Sequence, residues 1–147
     1  MTNRFDGISL GIGLSLLAAG ANAQPGTLGF SPKDSRWIED KASHCWAANP
    51  TPEEGETISW TGGCQSNLLS GEGTLTWYLN GKVSGRDVGE FKNGELTGHG
   101  RIFFADGASF EGEFPGQGVL TAPDGRKVRA QSVKERAGWS IEQITSN

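Results

Sequence analysis

Between residues 70 and 132 apolar and polar positions alternate in short runs, and glycines interrupt the runs at recurring places. Three glycine pairs open such runs, in "SGEGTLTW", "TGHGRIFF" and "PGQGVLTA", with second glycines at Gly73, Gly100 and Gly118. A further glycine follows 8, 7 and 7 residues later, at Gly81, Gly107 and Gly125, inside "LNG", "ADG" and "PDG". Asn-Gly and Asp-Gly between alternating apolar residues signal tight hairpins, because a type I′ turn needs positive φ at both central positions. Each unit therefore reads as a strand, a tight turn and a returning strand.

The returning strands are "VGEF" at residues 88–91, "FEGEF" at 110–114 and "VRAQS" at 128–132. "WTGGC" at 60–64 reads as the return of an earlier unit, with Trp60 matching Phe110 and Cys64 matching Phe91 and Phe114. Strand side chains point alternately to opposite faces. Leu75, Ile102 and Leu120 then form one inward row, and Trp77, Phe104 and Ala122 the next; these six are the expected core. The glycines leave room for large rings to lie across the strands.

The same alternation turns Arg101 and Phe103 outward, joined by Glu111 and Glu113 from the returning strand. Matching positions elsewhere hold Thr74, Thr76, Val119 and Thr121, so the second unit stands out. An exposed aromatic beside Arg and acidic groups has the composition of a binding hot spot. Arg101, Phe103, Glu111 and Glu113 are therefore the candidate partner-binding residues. The competing role for Phe103 is to lie beneath the C-terminal segment around Trp139.

Outside the units, "SPKDSRWIEDKASHCW" reads as a short helix leading into a strand at Cys45. Val133, Ala137, Ile141 and Ile144 recur at helical spacing, while Gly138 and the alternation of Trp139 with Ile141 also permit a strand; either would cap the repeat array, whose ends need covering. The fold expected is all-β, a single-layer twisted meander of antiparallel hairpins with short N- and C-terminal capping segments. Its divisions are a leader at 1–23, an N-terminal segment at 24–44, the hairpin domain at 45–131 and the capping segment at 132–147.

Residues 1–23 change the picture of where the chain works. A short polar start with Arg4, a 12-residue apolar run from Ile8 to Ala19 and an A-x-A ending at Ala23 have the layout of a secretory signal peptide cut before Gln24. The run is well short of the roughly 20 residues that span a bilayer. A periplasmic or secreted location follows, and a monomer or weak oligomer is expected. In an oxidising compartment the two cysteines, Cys45 and Cys64, favour a disulfide over free thiols.

A formal net charge of −4 offers no basic cluster. Nucleic acid is excluded as a partner and anionic membrane binding is disfavoured, since both call on Lys and Arg. Chemistry is sparse. No Gly-rich loop opens a helix or precedes Lys-Ser or Lys-Thr, so phosphate cradling is rejected. His44 and Cys45 are neighbours that a strand points apart, and His99 between two glycines reads as a surface turn residue. Asp106, Glu111 and Glu113 fit a solvated face better than a glycosidase pair or a calcium site, as no D-x-D-x-D-G spacing is present. No cofactor and no metal are expected.

The pattern resembles the MORN repeat family: an aromatic, x, Gly, x, aromatic stretch, a Gly-x-Gly and an aromatic strand ending in a turn, as in "FEGEF", "TGHG" and "FFADG". The resemblance covers residues 59–130, and "CWAANPTPEEGETISWTGGC" is similar to exported bacterial members. Asp87 and Val128 stand where an aromatic is expected, and "KVSG" lengthens the second unit. Such proteins serve as scaffolding or interaction modules, some of them membrane-associated and some appended to enzymes. The resemblance implies a non-enzymatic protein-binding module. The alternatives are a small hydrolase using surface carboxylates, with Glu111 or Glu113 at a pocket floor, and a lipid-binding module.

Overall fold

A computed structural model describes residues 36–145, so the expected leader and most of the expected N-terminal segment lie outside the described residues. The described chain is all-β. Its strands are β1 (Trp37–Asp40), β2 (Cys45–Ala48), β3 (Glu56–Trp60), β4 (Gly63–Gln65), β5 (Leu68–Leu79), β6 (Lys82–Lys92), β7 (Glu95–Phe104), β8 (Ser109–Phe114), β9 (Gly116–Thr121), β10 (Lys127–Lys134) and β11 (Trp139–Gln143). From β5 to β11 each strand pairs antiparallel with the next, a meander along one curled sheet. β3 and β4 pair with β5, and the β1–β2 hairpin joins it through a parallel contact of Trp46 with Leu68.

The strand expected at Cys45 is present as β2, but the short helix expected before it is absent from its described part, where residues 37–48 form the β1–β2 hairpin. Its turn is closed by Asp40, a buried carboxylate that accepts from Ser43 Oγ at 2.7 Å and whose carbonyl accepts from His44 N at 2.7 Å. A local side-chain bond of this kind competes with helix formation. The C-terminal segment caps as a strand. β11 pairs along β10 from Lys134↔Trp139 to Ala130↔Gln143, and Gly138, at φ +84°, makes the bend that returns it.

The turns correct one expectation. Asn80 (φ 50°) and Gly81 (φ 83°) both take positive φ, as a type I′ turn demands, but Asp106 and Asp124 do not. There the turn is three residues long: Gly107 N donates to Phe104 O at 3.1 Å and Gly125 N to Ala122 O at 2.9 Å, with Gly107 and Gly125 alone left-handed. Each Asp side chain accepts from the backbone N–H two residues on, from Ala108 at 2.9 Å and Arg126 at 3.0 Å, which fixes the other turn geometry.

The expected inward face is right and its depth is not. Leu75 is fully buried, but Trp77, Ile102, Leu120 and Ala122 are half-buried, and Phe104 is 37% exposed. The deep core lies nearer the glycine pairs: Trp60, Leu69, Phe91, Leu96, Phe110, Phe114 and Ala130, with Cys45, Ala47 and Ile58. Edge-to-face contacts join Trp60 to Phe91 at 4.7 Å, Phe110 to Phe114 at 5.5 Å and Phe114 to Trp139 at 5.7 Å. The reason is the cover. Trp139 of β11 packs on Phe114 and bonds Leu96 O, and the β1–β2 hairpin bonds Gly94 O through Ala48 N, all at the glycine end, whereas Phe104 at the turn end stays exposed among the described residues.

Glycine makes this core possible. Phe110 lies across Gly112 and Gly118, which face each other in β8 and β9; a Cβ on either would stand 2.8 Å from its Cζ and 2.6 Å from the other glycine's Cα. Cys45 and Cys64 are joined as a disulfide pair with Cα atoms 6.0 Å apart, tying β2 to β4 around the start of β5.

Candidate functional site

The register of β5, β6 and β7 puts Leu75, Asp87 and Ile102 side by side in one inward row, and Trp77, Gly85 and Phe104 in the next. Asp87 is thus a carboxylate in a row that is otherwise apolar. Trp77 Nε1 donates to its Oδ2 at 3.1 Å, the one hydrogen bond the side chain makes among the described residues. Burial pushes the Asp87 carboxyl up to about 7, and the Trp77 bond only partly offsets this. The residue is nonetheless half-accessible, because it forms part of the wall of an open cavity.

That cavity, of about 750 Å³, occupies the concave side. Its apolar lining includes Leu75 and Trp77 from β5, Ile102 and Phe104 from β7, and Trp139 and Ile141 from the capping strand β11. Trp139 is fixed there by its own donor, Nε1 to Leu96 O at 3.1 Å. A concave, mainly apolar volume of this size with a few convergent polar groups is the usual form of a ligand site.

The charges on the wall are of one sign. Glu53, Glu56, Asp87, Glu95 and Glu135 line it, and among the described residues no Lys, Arg or His does. Three of these have donors: Glu56 accepts from Asn49 Nδ2 at 2.8 Å, Glu95 from Lys134 Nζ at 2.6 Å and Gly138 N at 3.0 Å, and Glu135 from Ser140 Oγ at 2.7 Å. Asp87 has no basic neighbour within ion-pair distance among the described residues, and its Oδ1 is left with no protein partner.

Arg101, Glu111 and Glu113 of the four residues expected to bind a partner sit on the opposite face, and Phe103 is next to them in register while also bordering the cavity at its open end. Arg101 faces Glu111 across the β7–β8 pair, His99 faces Glu113, and Phe103 faces Ser109. His99, expected as a bland turn residue, is the hub: Nε2 is 3.0 Å from Glu111 Oε2 and Nδ1 is 3.1 Å from Glu113 Oε1. Arg101 Nε adds a contact of 3.4 Å to Glu111. The bond to Glu111, and then that to Glu113, raises His99 above its ordinary value; His99 first and Arg101 second lower Glu111. All of these groups are open to solvent.

Phe103 is 37% exposed, and Trp139 does not cover it, since that ring packs on Phe114 on the concave side. Glu111 and Glu113 do not line the cavity, so the pocket floor required by a surface-carboxylate hydrolase is not where they stand. Asp106 serves its turn. His44 lies 3.3 Å from Glu39 while the Cys45 sulfur is taken by Cys64. Among the described residues no cluster of His, Cys, Asp and Glu is suited to a metal ion.

A protein-family model, the MORN repeat, matches residues 88–109, the span from the middle of β6 through β7 to the start of β8. Compared with curated proteins, the chain has no match.

Proposed function

From a chain that carries MORN repeats, we propose an exported, non-enzymatic binding module of the cell envelope that takes a segment of a partner protein into its concave groove. The observation that carries this reading is the 750 Å³ cavity whose wall includes the rings of Trp77, Phe104 and Trp139 and the Asp87 carboxylate bonded to Trp77. Aromatic anchors in a concave, desolvating site are where binding energy concentrates. The leader-like residues 1–23 and the cysteine pair support a place outside the cytoplasm.

A photoreactive amino acid placed at Ile141, on the groove wall, or at Val119, on the outer face, tests the site in cells. Val119 is 42% exposed and stands opposite Glu111. The groove reading requires a discrete protein adduct from position 141 and none from 119. Adducts from 119 alone would move the site to the Arg101, Phe103, Glu111 and Glu113 face.

A further inference from the structure

We propose that Asp87 makes the groove selective for an apolar peptide segment carrying a lysine, the lysine ammonium docking on the carboxylate between Trp77, Ile102 and Leu75. The inference rests on the groove being the binding site and names what it takes.

The argument begins with charge. Among the described residues five carboxylates and no cationic side chain line the cavity, and Lys134, at its rim, is ion-paired with Glu95, so the wall disfavours an acidic or phosphorylated segment. Among the five, Asp87 is the one deep in the apolar row, with Leu75 and Ile102 beside it and Trp77 donating to one of its oxygens. Its other oxygen faces no donor from the described residues. A charged-assisted bond from an ammonium would supply the missing partner, and such bonds are short and strong in desolvated sites. Lysine suits the geometry because its apolar stem can run along Leu75 and Ile102 while its head meets the acid. The Trp77 ring offers a further face to a cation, while the Trp139 ring already has the Lys134 ammonium 5.6 Å from its centroid.

The position also explains a local irregularity. An aromatic is the expected residue two before Gly89, and here a carboxylate stands there at the cost of the burial that raises its pKa. An ammonium reverses that cost by favouring the ionised form. Binding then releases a proton near neutrality and weakens as pH falls. The other titratable groups that face the cavity are Glu53 and Glu56 from the β3 side, Glu95 from β7 and Glu135 before β11. Glu56, Glu95 and Glu135 already hold donors.

Two pools of blocked six-residue peptides test the assignment on the full mature chain, one with a central lysine and the other with acetyl-lysine in its place, both with randomised apolar flanks. At pH 8 immobilised protein should retain the lysine pool at least about tenfold better, the lower end for a desolvated charge pair. The preference should vanish in Asp87→Asn, which keeps an acceptor for Trp77 Nε1, and in wild type at pH 5. Equal retention of both pools would overturn the Asp87 inference and leave the groove reading standing. A lysine preference that survives in Asp87→Asn would do the same. Retention of neither pool would overturn the groove reading itself, and circular dichroism of the variant separates either result from misfolding.

Discussion

The two faces of the β7–β8 ribbon differ by a one-residue step and by almost everything else. Ile102 and Phe110 face each other on one side, Arg101 and Glu111 on the other. On the concave side a single carboxylate, Asp87, is shifted to about 7 by its apolar surroundings. On the outer side His99, Arg101, Glu111 and Glu113 form a close network, yet water screens all of it, and exposed ion pairs of this kind contribute little. One carboxylate held among apolar side chains in a groove is therefore worth more attention as a binding element than four paired charges in solvent. Number and proximity of charges mislead where desolvation decides.

The largest effect that would test this contrast is in the ring core. Phe110→Ala removes a fully buried ring that lies across Gly112 and Gly118, and should cost about 3 to 5 kcal/mol in a denaturant melt. Phe104→Ala, on the same face at the open end, should cost well under half of that. Equal costs would mean that the concave side is covered throughout. Next in size, replacing Cys45 and Cys64 together by Ser should cost about 3 kcal/mol for the loop the bond closes. Two alkylated thiols in unreduced mature protein would show that the bond does not form.

Asp87→Asn comes third and carries a sign. The folded value of about 7 lies above the ordinary 3.8, so the contribution of Asp87 to stability is full below pH 4 and is lost as pH rises to about 7. At pH 8 the variant should be more stable than wild type by on the order of 2 kcal/mol, a discounted fraction of the shift because the open groove admits water. At pH 4 the two should nearly coincide. A variant that is less stable at both pH values would show the carboxylate to be a net structural partner of Trp77.

These contrasts also mark what the sequence could disclose. The glycine pairs and the period of two revealed the hairpin meander and its inward face, because both are local properties of each unit. Depth was not local. Whether Phe104 or Phe110 is buried depends on where β11 and the β1–β2 hairpin lie, and those elements carry no repeat signal. The outer group of Arg101, Phe103, Glu111 and Glu113 was found by alternation, and His99 was missed because a residue between two glycines reads as turn. Asp87 did leave a mark, a carboxylate in an aromatic position. Its meaning needed the register that sets it between Leu75 and Ile102.

Smaller still is Phe103→Ser. The ring is exposed on the outer face and free of Trp139, so the melting temperature should stay near wild type, within about 0.5 kcal/mol of stability. Phe103 borders the cavity only at its open end, so capture of the partner should fall little if the groove is the site. Lost capture with unchanged stability would instead make the outer face the binding surface.

The smallest effect is the outer network's own titration, followed at the His99 imidazole by NMR. Its hydrogen bonds, first to Glu111 and then to Glu113, place its folded value above 6.5. A histidine raised on folding contributes stability that is full below the unfolded pKa and is lost as pH climbs through the folded one. That is the same direction as Asp87, so only the variants tell the two apart. Glu111→Gln removes the larger cause and should bring the His99 midpoint down toward 6.5, with the Glu113 bond holding it somewhat above. Asp87→Asn, on the other side of the sheet, should leave that midpoint where it was. If Glu111→Gln leaves the midpoint unmoved, the imidazole does not hold its two carboxylates in solution, and the outer face is then a set of independent solvated charges with Phe103 standing alone among them.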